Sequence, residues 1–151
     1  MIAAYVGAHD PTIEAVGLIS AADMAGRAKL PAGIPADARS KAIASIAKSL
    51  AAEGIEPLAG STAESLAEDL VAHADEYSLP AQAAKLATRP VLVVTSDDGL
   101  TPVNDKLVAA IQAAGDAQVN AVHLATDHSY SGKRIELTQT VLGGLAYLTQ
   151  K

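Results

Sequence analysis

The chain has 151 residues and a mass of 15.3 kDa, the size of one ordinary domain, with enough length to bury a real core. Seventeen acidic residues against eleven basic ones leave a net charge of −6 and a pI near 5.0, which argues against a nucleic-acid surface or a polybasic membrane patch. The absence of cysteine excludes disulfides, thiolate metal sites and thiol nucleophiles. The hydrophobic share of 50% owes much to alanine, because Phe and Trp are absent and Tyr numbers four. No apolar run reaches the ~20 residues of a bilayer span, and Met1 is followed by neither a basic stretch nor a cleavage pattern. A cytoplasmic, single-domain protein is expected.

Met1 to Ala8 reads as an apolar helical stretch that Pro11 stops. Ala15-Val16-Gly17-Leu18-Ile19 is a continuous apolar strand, and its two apolar sides predict a parallel sheet covered on both faces. Ser20 to Ala22 reads as a small-residue loop, and Pro31 to Pro35 as a linker. A helix is predicted over Ala38 to Glu53, with Asp37 as N-cap, Ile43, Ile46 and Leu50 on its inner face, and Gly54 closing it. Ser61-Thr62-Ala63-Glu64 is a capping-box pattern for a second helix buried through Leu66, Leu70, Val71, Ala74 and Tyr77. Pro80 starts a short third helix to Ala87.

Val91 to Thr95 is a β-branched run of strand length. After the loop Ser96 to Leu100, Thr101 is expected to cap a helix with Pro102 at its first position and Leu107, Ala110, Ile111 and Ala114 facing inward. Gly115 ends that helix. Val119 to Leu124 is a third strand and Ala125 to Ser131 a loop. Ile135 to Leu148 is a closing helix with Ile135, Leu137, Val141, Leu142 and Leu145 available for packing, and Gly143-Gly144 permitting close approach. Alternating strands and helices with short connections predict parallel pairing.

In such a sheet, functional groups gather in the loops at the carboxyl ends of strands. Parallel pairing places Asp97 and Asp98, after one strand, beside Asp127 and His128, after the next. An aspartate bonded to a histidine Nδ1–H fixes the tautomer and leaves Nε2 to take a proton from a nucleophile. The acid-then-histidine order is that of a Ser…Asp…His triad. His9, His73 and His123 read as capping, solvated and packing residues respectively. A metal site from His123, Asp127 and His128 is disfavoured, because the two histidines stand at opposite ends of a strand-to-loop transition.

Asp98-Gly99-Leu100-Thr101-Pro102 and Asp127-His128-Ser129-Tyr130 carry a specific likeness. The segment Arg89 to Leu148 resembles the C-terminal portion of an α/β-hydrolase of the esterase, dienelactone-hydrolase and serine-peptidase type. In that family the acid turn has an Asp four residues before a Pro, and the histidine loop often reads Asp/Gly-His-Ser-Tyr/Phe. The resemblance implies Asp98 as catalytic acid, with Asp97 the runner-up, and His128 as general base. It implies no cofactor and no metal.

By the same resemblance the fold is a truncated α/β-hydrolase over residues 1–151, with about three parallel strands flanked by helices and a helical cap-like insertion over 36–88. No Gly-x-Ser-x-Gly elbow occurs in the sequence, so the resemblance places the nucleophile and its oxyanion donors before Met1. Ser129 and Ser131 adjoin His128 on no such turn. The implied function is hydrolysis of carboxylic ester or acyl substrates. The alternatives are a non-catalytic dimeric remnant and a fragment of a complete hydrolase. The strand Ala15 to Ile19, an interior strand in the complete fold, is expected here to be an edge through which the chain forms a homodimer. No nucleic-acid or membrane partner is expected.

Overall fold

The computed structural model describes residues 1–54, 59–115 and 118–148. It is a mixed α/β structure built on a three-stranded parallel sheet, β1 (Val16–Ile19), β2 (Val91–Thr95) and β3 (Val119–His123), in the order β1-β2-β3. Val16 pairs with Val91 and Val91 with Val119, so the three strands begin level, and β1 ends one residue before β2 and β3. By Cα clustering the chain forms two units, one of residues Met1–Asp23 and Leu79–Lys151 and the other of Met24–Ser78.

In the first unit, alternate residues of the strands serve one face. Val16, Leu18, Val91 and Val93 join Ala4 and Ala8 of α1 (Ile2–His9), Leu86 of α6 (Ala83–Leu86), and Leu107 and Ile111 of α7 (Thr101–Ala113) in one buried cluster. Alanine and β-branched residues suit this place, because small helix faces let backbones approach a pleated surface closely. Leu79 and Ala83, within the stretch expected to belong to an insertion over 36–88, also enter this cluster. Residues 55–58 of that stretch lie outside the described residues.

The second face departs from expectation. Gly17 and Ile19 of β1 are exposed rather than covered, and β3 is at most half-buried. The remaining helix, α8 (Arg134–Leu148), touches the sheet at Gly144, where an added Cβ would stand 3.2 Å from Leu92 Cδ2. A cleft of about 600 Å³ lined by Gly17, Ile19, Leu92, Val141 and Leu145 separates much of the helix from the strands. Ile135, Leu142 and Leu145, expected to pack, are exposed, Leu145 on the cleft. The close approach is made by Gly144, while Gly143 is exposed.

The second unit is helical: α2 (Met24–Ala28), α3 (Ala36–Ala52), α4 (Ala63–Ala72) and α5 (Ala74–Tyr77). Ala47 and Leu50 of α3, and Ala67, Leu70 and Val71 of α4, are buried. Ile43 and Ile46 are only half-buried. The caps correct the expectation in detail. Asp37 lies inside the first turn of α3, and Pro35 occupies the N-cap without a side-chain bond; the carboxylate meets Lys41 instead, at 3.6 Å. The capping box is Thr62 with Ser65, one position beyond the Ser61/Glu64 frame, because the Ser65 hydroxyl reaches the Thr62 N–H at 2.9 Å. Thr101 likewise begins α7 as a helical residue, with Leu100 at the N-cap, and its hydroxyl donates back to the Ser96 carbonyl at 3.0 Å.

Candidate functional site

The β2–β3 ladder continues past the strand ends. The Leu124 N–H donates to the Thr95 carbonyl, and the Asp97 N–H to the Thr126 carbonyl, both at 2.9 Å. This holds the two following loops together on one edge of the sheet, as parallel pairing predicts. In the first loop Asp98 Oδ1 accepts the Leu100 N–H at 2.9 Å. Gly99, at φ +81°, supplies the left-handed turn that this local bond requires. Asn104, fully buried on α7, donates through Nδ2 to the carbonyls of Leu100 at 2.8 Å and Ala21 at 3.0 Å. One side chain thus fixes the loop after β2 to the loop after β1.

The second loop is held by its own aspartate. Asp127 gives its carbonyl to the Tyr130 N–H at 3.0 Å and its Oδ1 to the Ser131 N–H at 3.2 Å. That backbone bond is the largest influence keeping the Asp127 carboxyl below its ordinary pKa. Asp127 is therefore a loop former. Ser131 is engaged by its backbone in the same turn, and neither Ser129 nor Ser131 is bonded to His128 among the described contacts.

Asp98 and His128 meet as the sequence leads one to expect: Nδ1 stands 2.8 Å from Asp98 Oδ2. The acid side chain is 4% exposed and the imidazole 67% exposed. Burial alone would raise the Asp98 pKa. Hydrogen bonds from His128, Ser20, the Leu100 N–H and Ser96 outweigh it and hold the carboxyl far below the usual carboxylate range. An ionised Asp98 on Nδ1 makes that nitrogen the protonated one in neutral His128 and turns the Nε2 lone pair outward. No described residue engages Nε2.

Two hydroxyl residues at strand ends complete the acid's surroundings. Ser20 follows β1 and Ser96 follows β2, and their Oγ atoms lie 3.1 Å apart. Ser20 Oγ is also 2.8 Å from the Tyr130 hydroxyl. Ser20, Ser96 and Tyr130 are all buried. No local motif in the sequence marks either serine as part of a site. Their position directly after a strand was the available signal, but the bond that gives Ser20 its role comes from 110 positions away. Ser20 acts on the carboxylate of the pair.

Asp97, the runner-up acid, pairs with a different histidine. His123 Nε2 is 3.2 Å from Asp97 Oδ1, and His123 Nδ1 is 3.0 Å from Thr95 Oγ1. His123 is hydrogen-bonded as expected, but it is exposed rather than packed, at the end of the edge strand β3. His73 pairs with Asp69 at 3.0 Å and stacks on Tyr77, and His9 stacks on Tyr5. Among the described residues, no group of three His, Asp or Glu side chains converges to hold a metal ion. No described helix is long and apolar enough to cross a membrane. No known protein family, curated protein or solved structure matches the chain significantly.

Proposed function

We propose that the chain carries the acid and base of a serine-esterase-type α/β-hydrolase acting on carboxylic ester or related acyl substrates. The observation that carries this reading is the 2.8 Å bond between a buried, ionised Asp98 and an exposed His128 whose Nε2 is open. His128 Nε2 takes the proton of an attacking hydroxyl, and Asp98 stabilises the imidazolium that forms. The imidazolium then returns its proton to the departing alkoxide. The attacking hydroxyl belongs to a serine on polypeptide outside these residues or to water. Ser20 Oγ is bonded to Tyr130 and Ser96, and no bond joins it to His128 among the described contacts.

An activated aryl ester and a fluorophosphonate probe test the reading together. Turnover that His128→Ala lowers on the order of 10²–10⁴-fold supports it. Probe labelling would then map a serine nucleophile, and its absence would assign the attack to water. The absence of both turnover and labelling rejects catalysis by this chain alone and leaves a non-catalytic dimeric remnant or a fragment of a complete hydrolase.

The same reading includes a homodimer formed by a second copy at the edge Ala15 to Ile19. β1 has a neighbouring strand on one side only among the described residues. Val16 and Ser20 donate to β2-side carbonyls, so the alternation turns the backbone groups of Gly17 and Ile19 to the open side. A run of four uncharged residues offers such groups to an identical strand across a twofold axis.

A further inference from the structure

Among the described residues, two that are not glycine have left-handed backbone, Ser20 at φ +44° and Tyr130 at φ +54°. This region is costly for any residue with a Cβ, and such residues persist only where their surroundings hold them. The two lie in separate loops and are bonded to one another, Ser20 Oγ to Tyr130 OH at 2.8 Å. One follows β1, and the other stands two residues beyond His128. The strain is therefore concentrated at a single contact beside the Asp98–His128 pair.

The hydrogens available give this contact a direction. Each hydroxyl has one to donate. Both Ser20 and Ser96 stabilise the Asp98 anion, which can only accept, so their hydrogens turn toward it. The Ser20 oxygen is then left to accept, and Tyr130 is the donor that faces it; the Val94 carbonyl lies farther from the Tyr130 hydroxyl, at 3.4 Å. The chain of bonds runs Tyr130 to Ser20 to Asp98 to His128, and so returns to the loop from which Tyr130 starts.

We infer that Tyr130 and Ser20 are positioning residues that lock the histidine loop onto the end of β1 and hold Asp98 against His128 Nδ1. The inference rests on the acid–base reading of that pair, but its test does not require activity. Asp98 then has a fixed set of donors and His128 a fixed tautomer, whether or not a substrate is present.

Tyr130→Phe removes the donor and keeps the ring, and Ser20→Gly removes the hydroxyl at a position where glycine adopts φ +44° freely. Nitrogen-15 NMR of the full chain reads the imidazole tautomers, and carbon-13 NMR reads the Asp98 carboxyl. In both folded variants the ratio of Nδ1–H to Nε2–H form at His128 should fall severalfold. The proton affinity of Asp98 should rise severalfold in both, in Ser20→Gly because a donor to its anion is lost and in Tyr130→Phe because the Ser20 hydroxyl is no longer held in place by the phenol. His123, bonded to Thr95 and Asp97, should keep its wild-type signals and serve as internal control.

Wild-type tautomer ratio and Asp98 titration in both variants would overturn the lock, even with ester turnover intact. The expected shifts in a protein that turns over no ester would overturn the hydrolase reading alone and leave the lock standing.

Discussion

Asp98 is the residue at which opposing effects are largest. Its burial favours the neutral acid, and four hydrogen-bond donors favour the anion more strongly, so its folded pKa is depressed. Because the folded form binds its proton less readily than the unfolded chain, the contribution to stability is full above the ordinary carboxylate pKa of about 4 and is lost as pH falls through the folded value. Denaturant midpoints should therefore hold level from pH 7 to about 5 and drop below about 4. In Asp98→Asn that acid-side drop should be shallower, from a lower starting stability, and an unchanged acid limb would show that the depressed pKa is not this residue's. Asp98 and His128 are legible in the sequence because a four-residue spacing to Pro102 and a His-Ser-Tyr run are local patterns. Ser20 and Ser96 are not, because a serine after a strand has many roles, and only the tertiary bond to Tyr130 selects one.

Two glycines at the scale of the elements make opposite demands. On α1, a Cβ at Gly7 would run into Val16 Cγ2, a branched side chain already confined in the buried face of β1. Alanine normally gains up to ~1 kcal/mol over glycine inside a helix. Here overpacking of about 1–3 kcal/mol should outweigh it, so Gly7→Ala should lower the denaturant midpoint. At Gly17 a Cβ would meet nothing within 4 Å, since the position faces the cleft beneath α8. Gly17→Val should raise stability by up to ~1 kcal/mol through β-propensity. Equal effects of the two substitutions, measured by urea unfolding, would contradict this account of the two faces. Most helices were readable from apolar periodicity and the three strands as short apolar runs, but their details were not. Ser61/Glu64 and Thr62/Ser65 are both competent capping pairs one residue apart, so chemistry alone does not choose the frame. The five residues of α2 are too few to show a period. In α8 the apolar residues spread over nearly half the circumference with Arg134 and Thr138 among them, so no narrow stripe is marked for the sheet.

The whole sheet unit has one edge with an apolar, uncharged strand. If a second copy occupies it, light scattering at micromolar concentration should give twice 15.3 kDa. Ile19→Glu, at an exposed position of that edge, should shift the mass to a single chain with its helical signal retained. A wild-type monomer would remove the dimer from the proposal without touching the Asp98–His128 pair. The sequence indicated a parallel α/β arrangement because its strands are separated by helices. It did not reveal that the second face is only partly covered, with Val94 buried and Gly17 and Ile19 exposed.

The Ser20–Tyr130 contact bears on how the molecule is made. Its two ends are 110 positions apart, and the intervening chain includes the helical unit and both later strands. Contacts of such separation tend to form late, since much of the chain must be ordered before they close. Asp98 and His128, only 30 positions apart, can be joined through β2, α7 and β3 alone. Refolding should therefore assemble a loose acid–base pair first and tighten it when β1 docks, so that the protein acquires its chemistry in two steps, with the phenol of Tyr130 passing out of water in the second.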